Sequence, residues 1–316
     1  MLSNKPLILG LLFLFIGISL LAKRSDFDPN KVTEIPLQET LALIDLYDKT
    51  NGPNWKDQQN WFASSTPSSW HGITVRDGNI TEIVLVNNKL TGKIPSTIGD
   101  FEKLEILYLF DNVLDGTLPM ELFNLKNLKW LNLWNNQLTG TIPNEISQLE
   151  NIKEIILSKN NFSGSIPASI GNLQTLEGLA IVENKLSGPL DKSIFKLQKL
   201  RYLSLIKNNI SGSLPLELVN AGRLQILSLA ENQIEGPLPS EITKLKNLKF
   251  LDLSDNKLSG HIPDNFSEIP NLKTLNLANN QLSGVIPYEL SKTKTITRLV
   301  LSGNLLVTET KGSKKL

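Results

Sequence analysis

The sequence predicts an α/β solenoid, a right-handed curved array of repeated strand-and-turn units, and two observations support this fold class. A pattern of twenty-four residues, L-x-x-L-x-L-x-x-N-x-L-x-G-x-I-P, recurs ten times without insertion or deletion. A fixed period in this range is typical of solenoids, in which each unit packs only against its neighbours. In addition, an asparagine follows eight residues after every repeat start, and the starts are Ile80, Leu104, Leu128, Ile152, Leu176, Leu200, Leu224, Leu248, Leu272 and Ile296.

Each repeat opens with the run L-x-x-L-x-L, whose final period of two predicts a short strand with aliphatic side chains directed inward. Burying about seven aliphatic side chains at roughly 1.5–3 kcal/mol each contributes roughly 10–20 kcal/mol per repeat. Ordering the backbone costs about 1–2 kcal/mol per residue. Because one repeat cannot recover this cost alone, the stacking of neighbouring repeats must stabilise the fold.

The recurring asparagine fits an internal ladder, in which each amide satisfies backbone groups where the chain leaves the strand. Left unpaired, such a buried amide would cost about 1–3 kcal/mol. We therefore expect a structural role for Asn88, Asn112, Asn136, Asn160, Asn184, Asn208, Asn232, Asn256, Asn280 and Asn304.

A glycine and a proline follow the asparagine in most repeats. The glycine permits backbone torsions closed to other residues, whereas we expect the proline to fix a bend and prevent further strand pairing. Beyond them, apolar residues such as Ile146 and Leu149 should pack the convex side through short helical turns. The glycines are Gly92, Gly116, Gly140, Gly164, Gly188, Gly212, Gly236, Gly260 and Gly284, and the prolines are Pro95, Pro119, Pro143, Pro167, Pro215, Pro239, Pro263 and Pro287.

With this glycine and the Ile-Pro pair, residues 80–306 resemble leucine-rich repeat proteins of the plant type. The fifth repeat departs from the signature with Asp191 in place of proline, and the tenth lacks both glycine and proline. The resemblance implies a leucine-rich repeat array of ten repeats that binds a ligand through its variable positions.

Residues 25–79 should form an α-helical N-terminal cap, because an exposed solenoid end needs cover for its unpaired strand and apolar core. An apolar stripe at helical spacing predicts a helix there, with Leu37, Leu41, Ile44 and Tyr47 on its buried face. The run 70–73, Trp-His-Gly-Ile, resembles the W-x-G-[IV] core of caps in plant leucine-rich repeat receptor ectodomains, where cysteines flank that core. Ser68 and Val75 stand at those positions here. The cap therefore resembles those of cysteine-free bacterial secreted or surface proteins.

Residues 1–24 have the pattern of an export signal, because an apolar run at 7–22 follows Lys5. The run is short for a membrane span of about twenty residues. Lys23 and Arg24 make a poor cleavage site, so a cleaved signal peptide and a retained signal anchor both stay open. We expect an exported protein, secreted or at the cell surface, and a membrane partner only if the segment is retained. The basic segment 307–316 should blunt the open end of the array, with self-association or surface attachment as alternatives.

The composition argues against an enzyme. Two histidines, His71 and His261, lie far apart in the array, and the sequence contains no cysteine, so neither a metal site nor a nucleophile–base pair is expected. Lys and Arg number 32 against 31 Asp and Glu, which leaves no electrostatic footprint for nucleic acid. No cofactor is expected.

Function should reside at the variable positions of the strand. Repeat positions three, five and seven, counted from each repeat start, point outward onto the concave sheet. Since neighbouring strands lie about 4.8 Å apart, the aromatic side chains of the second and third repeats should form one patch. Core packing does not explain them, although cross-strand pairs could instead stabilise the sheet. The predicted ligand-binding residues are Ile106, Tyr108, Phe110, Trp130, Asn132 and Trp134.

We interpret the chain as a non-enzymatic recognition protein that binds a protein or peptide ligand on this concave patch. A glycan is an alternative ligand, since Trp130, Trp134 and Tyr108 could stack on sugar rings. A self-associating surface adhesin is a second alternative. A third, by resemblance to polygalacturonase-inhibiting proteins, is an inhibitor of a secreted hydrolase.

Overall fold

The structure is a computed structural model that describes residues 26–308. The predicted export signal at 1–24 and residues 309–316 of the basic tail lie outside the described residues. The predicted α/β solenoid with a helical N-terminal segment is confirmed.

One sheet runs the length of the array and contains a strand from each repeat. Its first two strands, Ile73–Arg76 and Asn79–Val84, pair antiparallel, and every later strand pairs in parallel with its predecessor. The register advances by one repeat per strand, so Leu107 lies beside Leu131 and Leu131 beside Ile155. The later strands are Ile106–Tyr108, Trp130–Asn132, Glu154–Ile156, Gly178–Ala180, Tyr202–Ser204, Ile226–Ser228, Phe250–Asp252, Thr274–Asn276 and Arg298–Val300.

Each repeat has a second strand after the first, and these strands pair in parallel. The sequence pattern did not predict them. The signature proline at repeat position sixteen comes after this strand, for example Pro143 after Thr139–Thr141. Two other prolines at position fourteen, Pro189 and Pro237, are the last residues of their strands. Thr91–Lys93 and Val113–Asp115 form a separate pair. The eight strands of the second sheet are Thr139–Thr141, Asn161–Gly164, Lys185–Pro189, Asn209–Gly212, Gln233–Pro237, Lys257–Gly260, Gln281–Val285 and Leu305–Val307.

Short helical turns complete the repeats, as the apolar pattern after the proline predicts. Each buries its central apolar side chain, for example Ile146 and Ile170. The ninth repeat has a short α-helix there, Tyr288–Lys292. The others are 3₁₀ helices at Ser96–Asp100, Met120–Asn124, Asn144–Gln148, Ala168–Asn172, Lys192–Lys196, Leu216–Asn220, Ser240–Lys244 and Asp264–Glu268.

The asparagines at repeat position nine link each repeat to the one before it. Asn136 Nδ2 donates to the carbonyl of Leu109 at 2.9 Å and to that of Leu133 at 3.2 Å. Its Oδ1 accepts the N–H of Leu114 at 3.0 Å. The amide therefore satisfies backbone groups of two repeats, and the same contacts recur at Asn304, where Nδ2 donates to Leu277 at 2.8 Å.

The cap contains the helix Leu37–Lys49, and the buried face of this helix differs from the predicted one. Leu37 and Leu41 are 45% and 49% exposed, so their assignment to the buried face was wrong. The helix turns Glu39 inward instead, because the Glu39 carboxylate accepts the N–H of Ile80 at 2.8 Å. This contact satisfies a backbone donor at the start of the first repeat, and burial raises the pKa of the Glu39 carboxyl.

Aromatic packing holds the rest of the cap together. The Trp61 ring lies 5.6 Å from Tyr47, 4.9 Å from Trp55 and 5.0 Å from Trp70 between centroids. The Trp61 indole N–H donates to the carbonyl of His71 at 3.0 Å. Short 3₁₀ helices lie at Pro29–Lys31, Gly52–Asn54 and Pro67–Ser69.

Candidate ligand-binding face

The front face is the outward side of the eleven-stranded sheet, formed by repeat positions three, five and seven. The six predicted site residues all lie on it and are half-buried. Ile106 pairs with Trp130 and Tyr108 with Asn132 across the adjacent strands. Tyr108 and Phe110 have ring centroids 6.0 Å apart, and Phe110 and Trp134 6.3 Å apart. Three of the four aromatic rings thus form a connected row.

Both tryptophans of the third repeat have a lysine ammonium over one ring face. Lys153 Nζ lies 5.3 Å from the Trp130 ring centroid, and Lys159 Nζ lies 5.2 Å from that of Trp134. A cation at this distance is attracted to the negative face of the indole. Asn132 is also engaged, because its Oδ1 accepts the backbone N–H of Trp134 at 3.0 Å. The two lysines therefore occupy one face of each indole.

Trp130 also borders a cavity on the front face that the sequence reasoning did not find. The cavity has a volume of about 490 Å³ and spans the third to seventh repeats. The signal for it was the glycine at position three of the fifth repeat, where the other repeats have a side chain. The cavity is lined by Trp130, Lys153, Glu154, Glu177, Gly178, Arg201, Tyr202, Gln225 and Ile226.

The Tyr202 side chain shapes the floor of this cavity by lying across the strand that contains Gly178. A Cβ atom at Gly178 would lie 2.0 Å from the Tyr202 Cζ atom, so only glycine leaves room for the ring. The Tyr202 hydroxyl reaches over that strand and donates a hydrogen bond to Glu154 Oε1. Burial, followed by the Glu154 carboxylate, raises the pKa of Tyr202, which keeps the hydroxyl protonated as a donor.

Ion pairs neutralise several charges near the strand starts. Lys129 Nζ lies 2.5 Å from Glu105 Oε1, and Arg201 Nη1 lies 3.7 Å from Glu177 Oε2. Glu154, in contrast, forms no ion pair with any other residue between 26 and 308. Burial and the nearby carboxylates of Glu154 and Glu82 raise the pKa of Tyr108 as well. The aromatic rings of the front face thus lie near a carboxylate, that of Glu154, which has no ion-pair partner between residues 26 and 308.

Between residues 26 and 308 the structure has neither a metal site nor a membrane-spanning helix. No group of three or more His, Cys, Asp or Glu side chains in this range is arranged to hold a metal ion. No helix in the same range is long and apolar enough to cross a membrane.

Family models for the leucine-rich repeat match most of the repeats. One matches residues 246–306. A second matches residues 79–101, 127–149, 151–173, 199–221 and 223–245. No curated protein matches the chain.

Solved structures similar to the chain include plant and bacterial proteins. The Arabidopsis receptor kinase HAESA, in complex with the peptide hormone IDA and a co-receptor, is 36% identical with a TM-score of 0.68, over 72% of this chain and 42% of that one. A leucine-rich repeat protein of Leptospira interrogans is 36% identical with a TM-score of 0.60, over 69% of this chain and 54% of that one. The chain thus spans well under two thirds of the length of these two structures.

A plant ice-binding protein differs from these in coverage. It is 26% identical with a TM-score of 0.76, and the match covers 87% of this chain and 88% of that chain. This similarity therefore extends over nearly the whole of both molecules.

Proposed function

Because the chain is a leucine-rich repeat protein, we propose that it is a non-enzymatic, exported recognition protein that binds a protein or peptide on its front face. The ligand would contact the predicted residues of the second and third repeats and extend over the cavity beside Trp130. Similarity to a plant receptor solved with a peptide hormone supports a peptide ligand. Similarity to receptor ectodomains supports an extracellular location.

The observation that supports the site best is the exposure of aromatic side chains that the core does not require. The inward leucines of the same strands, Leu107 and Leu131, are 0% and 1% exposed. Trp130 and Trp134 stand half-buried on the opposite side of the sheet, and Trp130 borders the cavity. Aromatic residues in such positions are enriched at interaction hot spots, and large exposed apolar patches usually mark binding surfaces.

Replacement of both tryptophans by alanine tests this proposal. A displayed random peptide library is panned on the immobilised protein and, separately, on the Trp130→Ala, Trp134→Ala double variant. We expect the protein to retain specific peptides and the double variant to lose them while keeping its circular dichroism spectrum and unfolding midpoint. Phe250→Ala, on the same face of the eighth repeat, is the control and should retain the same peptides. Equal retention by the double variant would refute the site, and glycan-array binding or concentration-dependent assembly would favour the alternative functions.

A second candidate function is ice binding, favoured by the match to nearly the full length of a plant ice-binding protein. Binding to a crystal requires a rigid and regular array of groups. The second sheet has hydroxyls at position twelve on four consecutive strands that lie about 4.8 Å apart. Each hydroxyl residue is displaced by two residues along its strand from the direct partner of the one before it, so the row is regular but staggered. These residues are Thr139, Ser163, Ser187 and Ser211.

Ice-recrystallisation assays distinguish this candidate from peptide binding. If the second sheet binds ice, the protein should inhibit recrystallisation, and Ser187→Lys should abolish inhibition because a bulky charge interrupts the array. The tryptophan double variant is the matched control and should inhibit like the unmodified protein. Absence of inhibition by the unmodified protein would rule this candidate out.

A further inference from the structure

Four residues at position three form a row across adjacent strands of the front face. Trp130 pairs with Glu154, Glu154 with Gly178, and Gly178 with Tyr202. Gly178 contributes no side chain, so the Tyr202 ring lies over its backbone and reaches Glu154. The Glu154 carboxylate is therefore set between an indole on one side and a phenol on the other, at the wall of the cavity.

The charges around this row leave one group unsatisfied. Arg201 is paired with Glu177 at 3.7 Å, and Lys153 lies over the Trp130 ring at 5.3 Å. Glu154 Oε1 accepts the Tyr202 hydroxyl, whereas Oε2 accepts no hydrogen bond from any residue of the described range. A half-buried carboxylate beside aromatic rings attracts a cation more strongly than it would in water, because its surroundings screen less. The aromatic faces add to that attraction.

We infer that this cavity holds a basic side chain of the ligand, with its guanidinium or ammonium group bound to Glu154 between Trp130 and Tyr202. The inference rests on the proposed function, since it names the group that a peptide on the front face presents to this cavity. An acidic side chain would be repelled by Glu154, and the two cations of the cavity are already engaged, Arg201 with Glu177 and Lys153 with the Trp130 ring. An apolar side chain would cover the Glu154 carboxylate without supplying a partner, which is unfavourable.

The neighbouring glutamates provide a matched pair of variants. Glu154→Gln and Glu177→Gln remove the same charge from adjacent strands, but only Glu154 lacks an ion pair. The displayed random peptide library is panned on the unmodified protein, and one retained peptide is synthesised together with a copy whose basic residue is norleucine. We expect the retained peptides to share an Arg or Lys. We also expect the Kd of the synthetic peptide to rise about tenfold or more with Glu154→Gln, and to change little with Glu177→Gln.

Lys153→Met gives a second, independent measurement. Because Lys153 competes with an incoming cation for the Trp130 face, its removal should tighten binding of the basic peptide but not of the norleucine copy.

The outcomes separate this inference from the proposed function. If the unmodified protein retains no peptide, the proposed function fails and the inference fails with it. If it retains peptides that share no basic residue, or if Glu154→Gln and Glu177→Gln weaken binding equally, peptide binding stands and the basic-residue assignment is wrong. Unchanged or weaker binding by Lys153→Met also contradicts the assignment.

Discussion

Gly178→Ala should destabilise the protein by displacing Tyr202 from the front face. The added Cβ would lie 2.0 Å from the Tyr202 Cζ atom and 2.2 Å from its hydroxyl oxygen, far inside van der Waals contact. Both partners are held by the register of the sheet, because Gly178 pairs directly with Tyr202. The ring must therefore swing out and release its hydrogen bond to Glu154.

The expected size follows from two opposing effects. A hydrogen bond to a charged group contributes about 1.5–3 kcal/mol, and the Gly178→Ala variant loses one. Replacing glycine by alanine within a strand recovers about 0.5–1 kcal/mol, because the unfolded chain has less freedom to lose. The net destabilisation is therefore about 0.5–2.5 kcal/mol.

A double-mutant cycle with Tyr202→Ala isolates the clash. Without the ring, Gly178→Ala should stabilise the protein by about 0.5–1 kcal/mol, so the effect of the same substitution changes sign. Urea unfolding of the four proteins gives a coupling free energy of about 1.5–3 kcal/mol. A coupling near zero, or a destabilising Gly178→Ala in the Tyr202→Ala background, would refute the argument that this glycine is required for the ring.

Two further substitutions test the scaffold. Asn136→Ala leaves the buried N–H of Leu114 unpaired and should lower the free energy of unfolding by about 1–3 kcal/mol. The carbonyls of Leu109 and Leu133 lose one donor each but keep Asn112 and Asn160. The half-buried Asn304 at the last rung should matter less, and an unchanged melting temperature for Asn136→Ala would contradict the ladder. Burial raises the pKa of the Glu39 carboxyl above its ordinary value of 4.5. The protonated carboxyl therefore stabilises the folded protein fully below pH 4.5, and this stabilisation is lost as the pH rises through the higher pKa of the folded state. Urea unfolding should therefore show Glu39→Gln becoming more stable relative to the unmodified protein between pH 4.5 and neutral pH, and a constant difference would contradict this.

The repeat architecture could be predicted from the sequence because its determinants are local and recur. Inward leucines, the asparagine and the glycine each specify a backbone or packing requirement within one repeat. The nine repeat glycines have φ values of about 75–86°, in the left-handed region that the sequence reasoning assigned to them. The second sheet was missed because its strands lack the alternating apolar pattern of the first: Lys185–Pro189, for example, has one buried apolar side chain, Leu186, next to Ser187 and Gly188.

The cap helix shows a different limit. Its apolar spacing fitted two faces, one containing Leu41 and one containing Leu43 and Leu46. The structure buries Leu43 and Leu46, both 0% exposed. Glu39 decides between the faces, because its carboxylate satisfies the N–H of Ile80. A hydrophobicity pattern predicts that the face with a glutamate is exposed. Here Glu39 is buried, because its carboxylate accepts the N–H of Ile80.

The part of the candidate site formed by aromatic side chains could be predicted from the sequence. The cavity could not, because it depends on the absence of a side chain at Gly178. Aromatic residues at outward positions stand out in the sequence, so Tyr108, Phe110 and Trp134 could be placed together. The cavity depends on Gly178, whose significance appears only when the register puts Tyr202 beside it. Reading position three in repeat order would have exposed the sequence Trp, Glu, Gly, Tyr, in which a small residue separates a carboxylate from a large ring.

The division between scaffold and site has a physical consequence for how this face can change. Backbone pairing and the amides at position nine hold neighbouring repeats together, and neither uses the side chains at positions three, five and seven. Substitutions at these front-face positions therefore alter the ligand surface at little cost in stability, unless they join a cross-strand pair such as Tyr202 and Glu154. The Gly178 row is such an exception. The Tyr202 hydroxyl bonds to Glu154, and the Tyr202 ring needs the space left by Gly178. If this row forms the cavity, Gly178 and Tyr202 should show a coupling free energy in the double-mutant cycle. A stripe of independent aromatic side chains would show none.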